Sequence, residues 1–352
     1  MSPRLRTLLK RIVLTALGVW ALGSCGTVKF YSQAAKGQWE ILHKARPVTE
    51  VIADSKSSEA LKRKLRLVQE LREYARRELH LPVTEQFSDY TDLGRKHVVW
   101  VVFAAPEFSV EGKSWWYPLV GRLKYRGFFS EAEAQAQAEK LKAEGYDVHV
   151  SGTAAYSTLG WFNDPVLNTF IFREDAELAE LVFHELTHAR VFLPGDTDFN
   201  EALATAFAQA GVRKWLKHKG LPAELAKYEH DLAKDAEIVR LLLRTREELK
   251  TAYATHEDKR AAKEECFAAM LKSYALIKQR WTGDSRYDRY FATKMNNARL
   301  NTVATYFDLL PGFARLLDEC GNDPERFFAK LEAMKPLPND KRRALVNGGG
   351  TP

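Results

Sequence analysis

The sequence predicts an α+β protein, mainly helical, with a small mixed β-sheet before a metal-type helix and a helical region after it. Three observations predict this. Apolar β-branched and aromatic runs, separated by turn residues, cluster between residues 84 and 173. Long segments with apolar residues three and four apart, and charge on the other faces, lie on either side of that region. Finally, His184-Glu185-Leu186-Thr187-His188 forms an H-E-x-x-H pattern inside a helix that is apolar nearly all round.

Composition narrows the class. The chain has 352 residues, 45% of them apolar, enough for a large core in one large domain or two. Its net charge is +7, but Arg4, Arg6, Lys10 and Arg11 supply four of those charges within residues 1–24, where no acid occurs; the remainder carries +3. No basic stripe interleaved with aromatics follows, which argues against a nucleic-acid partner.

Residues 1–24 read as a targeting segment. A basic stretch ends at Arg11, and the apolar run Ile12 to Leu22 is too short to span a bilayer permanently. Leu22-Gly23-Ser24-Cys25 resembles the lipobox of bacterial lipoproteins, which implies a lipid on Cys25 and removal of residues 1–24. Gly26, rather than Asp, resembles the sorting pattern of outer-membrane lipoproteins facing the periplasm of the cell envelope. An ordinary signal peptide or a signal anchor is the alternative. Besides Cys25 only Cys266 and Cys320 occur; we expect free thiols, with a disulfide between the two as the alternative, and no C-x-x-C suggests a cysteine metal site.

Residues 25–83 are expected to form a short amphipathic helix and tether (Thr27–Pro47), then a long helix over Glu59–Leu79, where Leu61, Leu65, Val68, Leu71 and Ala75 recur at helical spacing. His80, Leu81 and Pro82 close it. In residues 84–173, Val98–Ala104 reads as a buried strand, with further strands at Trp115–Val120, Tyr146–Gly152 and Tyr156–Trp161, the last followed by an Asn163-Asp164-Pro165 turn. A helix spans Ser130–Gly145, with Ser130 and Glu133 as a capping box and Gly145 just past its end. Residues 174–335 hold the metal-type helix, from an Asp175 N-cap to about Leu193, and then mostly helices: Ala202–Lys219, a hairpin of Ala223–Ala254 and Asp258–Gln279, and Arg286–Leu310. The Pro- and Gly-containing end, residues 336–352, reads as a disordered tail.

The chemistry gathers on the H-E-x-x-H segment. His184 and His188 lie one helical turn apart, the spacing at which two imidazoles hold one Zn²⁺, and Glu185 is placed to take a proton from a water the metal activates. A surface helix that happens to carry two His is the alternative, and the flanking Leu178, Leu181, Val182, Phe183, Leu186, Val191 and Phe192 argue against it. Hydrolytic zinc sites have three protein ligands and one open position. Glu201, in the opening turn of the next helix, is the candidate third ligand, with Ala204 and Ala208 on its face letting the helices approach. Thr205, one turn further, is placed to hydrogen-bond a ligand. The competing reading is a capping box, Asp198 with Glu201 folded back on the backbone. Tyr156, Asn297, Arg299 and Tyr306 are candidates for binding substrate or stabilising an oxyanion, with capping, surface or core roles as alternatives for each.

HELTH followed by FNEALATA resembles the gluzincin arrangement, H-E-x-x-H then N-E-x-x-A, and sheet, metal helix, then helices is also the order of zincin metallopeptidases, where an edge strand holds the peptide. The chain as a whole is similar to a bacterial lipoprotein family described as predicted zinc aminopeptidases. The matching pieces include Ala45-Arg46-Pro47-Val48, Tyr90-x-Asp92-Leu93-Gly94-Arg95, Tyr125-Arg126-Gly127-Phe128-Phe129, Tyr156 to Pro165, Gly195-Asp196-Thr197-x-Phe199-Asn200-Glu201 and Asn296-Asn297-Ala298. That resemblance implies a zincin-like fold, one Zn²⁺, and a peptide or protein substrate cut by a metallopeptidase. No G-x-M-E-N segment, with which one large aminopeptidase family grips the substrate's amino terminus, occurs. An envelope zinc endopeptidase therefore stays open, as does a non-catalytic lipoprotein whose metal is closed off by a fourth ligand, His230 or Asp164.

Overall fold

A computed structural model describes residues 25–117, 121–155, 163–282, 284–307 and 309–348. The first helix, α1 (Cys25–His43), leads through a two-residue strand β1 (Arg46–Pro47) to α2 (Val48–Ala53) and the long α3 (Glu59–Glu78). Helix α3 starts where Ser58 accepts a hydrogen bond from the Leu61 backbone, and its apolar stripe of Leu65, Val68, Leu71 and Ala75 is fully buried. The segment expected to be a tether is instead docked on the body. Phe30 and Ile41 of α1 are buried, and Gly37 sits so close to the Phe129 ring that a Cβ there would overlap it at 2.0 Å.

The strand region forms three small sheets among the described residues, not one. Strand β2 (Asp89–Thr91) lies between β1, antiparallel, and β8 (Val166–Leu167), parallel. The second sheet has the order β6-β3-β7, all antiparallel, from β3 (Val99–Pro106), β6 (Arg126–Phe128) and β7 (Tyr146–Thr153). Strand β3 is central because its run Val-Trp-Val-Val-Phe-Ala-Ala tolerates burial on both faces. The third is the hairpin of β4 (Trp115–Tyr117) and β5 (Gly121–Leu123). Helix α4 (Glu131–Ala143) crosses between β6 and β7, with the Ser130 hydroxyl capping the Glu133 backbone as expected. The strand expected at Tyr156–Trp161 lies outside the described residues.

The remainder is helical: α5 (Asp175–Arg190), α6 (Thr197–His218), α7 (Pro222–Thr255), α8 (Lys259–Arg280), α9 (Asp288–Ala292), α10 (Asn297–Phe307), α11 (Leu310–Glu319), α12 (Pro324–Met334) and α13 (Asn339–Val346). The expected disordered tail is thus corrected. Helix α13 is ordered by tertiary contacts, with Val346 fully buried and Arg342 nearly so. One large apolar cluster joins α3, α5, α6 and α11–α13. A separate cluster holds the α7–α8 hairpin together with α9 and α10, and a third lies between α1, β3, β6 and α4. Cys266 and Cys320 are free thiols. No described helix is long and apolar enough to cross a membrane.

Candidate metal centre

Helix α5 is buried on most sides by Leu178, Ala179, Leu181, Val182, Phe183 and Leu186. Its first turn is held by Lys64 of α3, which reaches Asp175 Oδ1 at 2.5 Å and the Arg173 carbonyl. Glu174, not Asp175, occupies the N-cap, and the helix ends at Arg190, three residues short of Leu193. The chain then turns back through residues 191–196. Asn200 clamps that turn: its Oδ1 accepts from the Leu193 N–H and its Nδ2 donates to the Leu193 carbonyl, both at 2.8 Å. Outside the turn the β4–β5 hairpin presses so closely that a Cβ on Gly121, whose φ is +80°, would come within 2.9 Å of the Gly195 nitrogen.

A buried ion-pair cluster fixes the start of α6. Asp196, only 1% exposed at its side chain, pairs with Arg342 at 3.2 Å and Arg343 at 2.9 Å, both from α13. Asp198 pairs with Arg343 at 3.3 Å and with Lys124 at 2.6 Å. Asp198 is therefore the second residue inside α6, engaged with cations, and the capping-box alternative for Glu201 is overturned. Asp196 is the N-cap, and Glu201 projects from the helix's second turn.

The side chains of His184, His188 and Glu201 converge. His184 Nε2 lies 3.2 Å from Glu201 Oε2 and 3.2 Å from His188 Nε2; His188 Nε2 lies 3.7 Å from Glu201 Oε2. The imidazole planes stand at 85°. This is the group of metal-capable side chains found among the described residues. Four-coordinate Zn²⁺ with ligands at about 2.0–2.1 Å separates its ligand atoms by about 3.3–3.4 Å, so the observed triangle fits that ion. Ala204 and Ala208 are fully buried, as expected of small residues between close helices.

Charge in the site is mutually stabilised. Burial disfavours a charged His184, but the neighbouring Glu201, Glu185 and Glu180 outweigh it and raise the imidazole's pKa. Burial likewise opposes an ionised Glu201, yet His188 and His184 hold its carboxyl well below the usual carboxylate range. Glu185 is half-buried beside the pair. Sequence reasoning missed Glu180. It lies one turn before His184 on the same helix, accepts a 2.7 Å hydrogen bond from Tyr228 of α7, and has Gln209 of α6 beside it. Its spacing of four from His184 was the available signal, hidden because acids are common in a helix's first turns.

Other candidates fall elsewhere. Thr205 is buried one turn beyond Glu201, and no hydrogen bond from it to Glu201 occurs among the described residues. Asn297 is a structural hub: its Oδ1 accepts from the Tyr253 hydroxyl at 2.9 Å, and its Nδ2 donates to the Pro106 and Glu107 carbonyls. Arg299 donates to the Thr293 carbonyl at 2.9 Å and the Tyr290 carbonyl at 2.5 Å, and stacks on the Tyr290 ring. Both are thus spent on holding the chain, which corrects their reading as substrate groups. Tyr156 lies outside the described residues, as do the side chains of Tyr306 and Cys25. Among the described residues neither exposed His230 nor buried Asp164 joins the cluster as a fourth ligand.

No curated protein and no solved structure matches the chain. A family model described as "Putative aminopeptidase" matches residues 29–346. With that match running through the whole metal centre and nearly the full length of the sequence, the chain belongs to this aminopeptidase family.

Proposed function

We propose that the protein is a zinc-dependent peptidase with a zincin-like arrangement, acting as an aminopeptidase. The observation that carries this is the triangle of His184 Nε2, His188 Nε2 and Glu201 Oε2, with sides of 3.2, 3.2 and 3.7 Å. Family membership supports the peptidase reaction. His184, His188 and Glu201 would hold the ion through their Nε2, Nε2 and Oε2 atoms. When bound there, Zn²⁺ supplies Lewis acidity, lowering the pKa of a water and polarising the scissile carbonyl. Glu185 takes the proton of the attacking water and delivers it to the leaving amine. Glu180 lies one turn before His184 and accepts from the Tyr228 hydroxyl; burial raises its pKa, while Tyr228 and His184 favour its charged form. The lipobox-like Leu22-Gly23-Ser24-Cys25 supports a protein lipid-anchored in the bacterial cell envelope, on the outer membrane facing the periplasm.

The test is Glu185→Gln. The variant is expected to keep its zinc and lose peptide turnover by about 10²–10⁴-fold. Retained turnover removes Glu185 from the mechanism. The missing G-x-M-E-N segment favours one second reading, an envelope endopeptidase. Hydrolysis of free but not N-acetylated peptides is the aminopeptidase outcome; equal cleavage of both is the endopeptidase outcome.

A further inference from the structure

Helix α1 carries an outward stripe that no described element covers. Tyr31, Ala35, Trp39 and Leu42 stand at i, i+4, i+8 and i+11, so they line one side of the helix, opposite the side that buries Phe30, Gly37 and Ile41. Tyr31 is 44% exposed, Trp39 62% and Leu42 38%, an unusual concentration of large apolar side chains in solvent. Lys29 and Lys36 are exposed beside one edge of it, and Lys29 also reaches Glu133 at 3.5 Å. Glu40 is the helix's single acid and is already neutralised, at 2.9 Å by Lys44 and 2.7 Å by Arg95. Aromatic and leucine side chains bordered by lysines make up the composition of helices that lie in the headgroup layer of a bilayer.

Geometry names the occupant. The apolar run Ile12–Leu22 ends three residues before Cys25, where α1 begins. Phe30, five residues on, is already buried against Phe128 with the Arg126 guanidinium over its ring. Five residues of helix advance only about 7.5 Å. A lipid on Cys25, or an apolar anchor ahead of it, therefore holds the folded body close to the membrane, with no slack for a free tether after residue 25.

We propose that the Tyr31–Ala35–Trp39–Leu42 face of α1 rests in the headgroup layer of an anionic bilayer and fixes the orientation of the folded body relative to the membrane. The proposal rests on the envelope anchoring read above and is independent of the peptidase chemistry. Its test uses the full chain, extracted from membranes and reconstituted into phosphatidylcholine–phosphatidylglycerol vesicles with or without brominated acyl chains. The fluorescence of the chain is compared with that of Trp39→Phe, so that the difference isolates Trp39 from the other tryptophans. The expected result is that brominated lipid quenches most of the Trp39 component, and that Leu42→Glu with Tyr31→Glu abolishes this quenching while the chain still sediments with vesicles. Sedimentation with an unquenched Trp39 overturns the face and leaves the anchor standing. Failure to sediment overturns both. A Trp39 component shielded equally in lipid-free detergent, together with concentration-dependent dimers, assigns the stripe to a second copy of the chain and also overturns the proposal.

Discussion

Helices α5 and α6 form one packed antiparallel pair, and α7 and α8 form another, yet the two pairs treat polar side chains in opposite ways. In the hairpin α7–α8 the interior is apolar, with Ile238, Leu241, Leu242, Leu249, Phe267, Met270 and Ile277, while His230 and His256 are exposed. Its ions pair at the surface, at its open end, where Arg286 gathers Asp231, Asp235 and Asp284, or against the sheet, where Lys263 meets Asp147. In the pair α5–α6, His188, Asp196, Asn200 and Thr205 are buried, and each added polar atom needs a partner. Asn200 finds backbone and Asp196 finds arginines. His184, His188 and Glu201 meet one another at 3.2–3.7 Å, and on the function proposed above a metal ion is their shared partner. The same residue types are solvated in one pair and form the candidate site in the other, and burial is what separates them.

The largest effect expected outside the ligands falls on the ion cluster at the turn. Replacing Asp196 with Ala leaves Arg342 buried without its carboxylate and should lower the unfolding free energy by about 3–5 kcal/mol, read from urea denaturation. A change below about 1 kcal/mol, the scale of a surface pair, would erase the contrast between the two helix pairs. Next, Glu180→Gln keeps the Tyr228 contact but removes the carboxyl group one turn before His184. It should weaken zinc binding by about 10-fold, measured by competition with a chromogenic chelator; unaltered affinity makes Glu180 part of the packing alone. At the bottom of the scale, Arg244→Ala breaks an exposed i,i+4 pair with Glu248 on the hairpin and should shift stability by less than about 1 kcal/mol.

What was legible in the sequence follows the same division. A polar triplet interrupting an apolar helix, a Ser-x-x-Glu before an apolar run, and an unbroken Val-Trp-Val-Val-Phe segment are local signals, and α5, α4 and β3 stand where they pointed. Strands β1, β2 and β8 have two or three residues each, and their pairing joins Arg46 to Tyr90 and Tyr90 to Val166, so neither length nor pattern marks them. Helix α13 sits among Pro and Gly and is poor in apolar residues. Its order comes from Asp196, 146 residues away, and from the pocket that takes Val346. Asn297 looked like a substrate group because a polar residue's main-chain partners, here the Pro106 and Glu107 carbonyls, leave no trace in the sequence. Asp198 looked like a cap for the same reason, since Lys124 and Arg343 are remote in the chain.

The central claim, that His184, His188 and Glu201 hold one catalytic ion, is tested most directly by metal analysis of the purified chain beside Glu201→Ala. The account predicts about one zinc per wild-type chain, consistent with a single three-ligand site, and a variant that loses most of its zinc on dialysis while keeping its helical circular dichroism. A variant that retains zinc as the wild type does would contradict it.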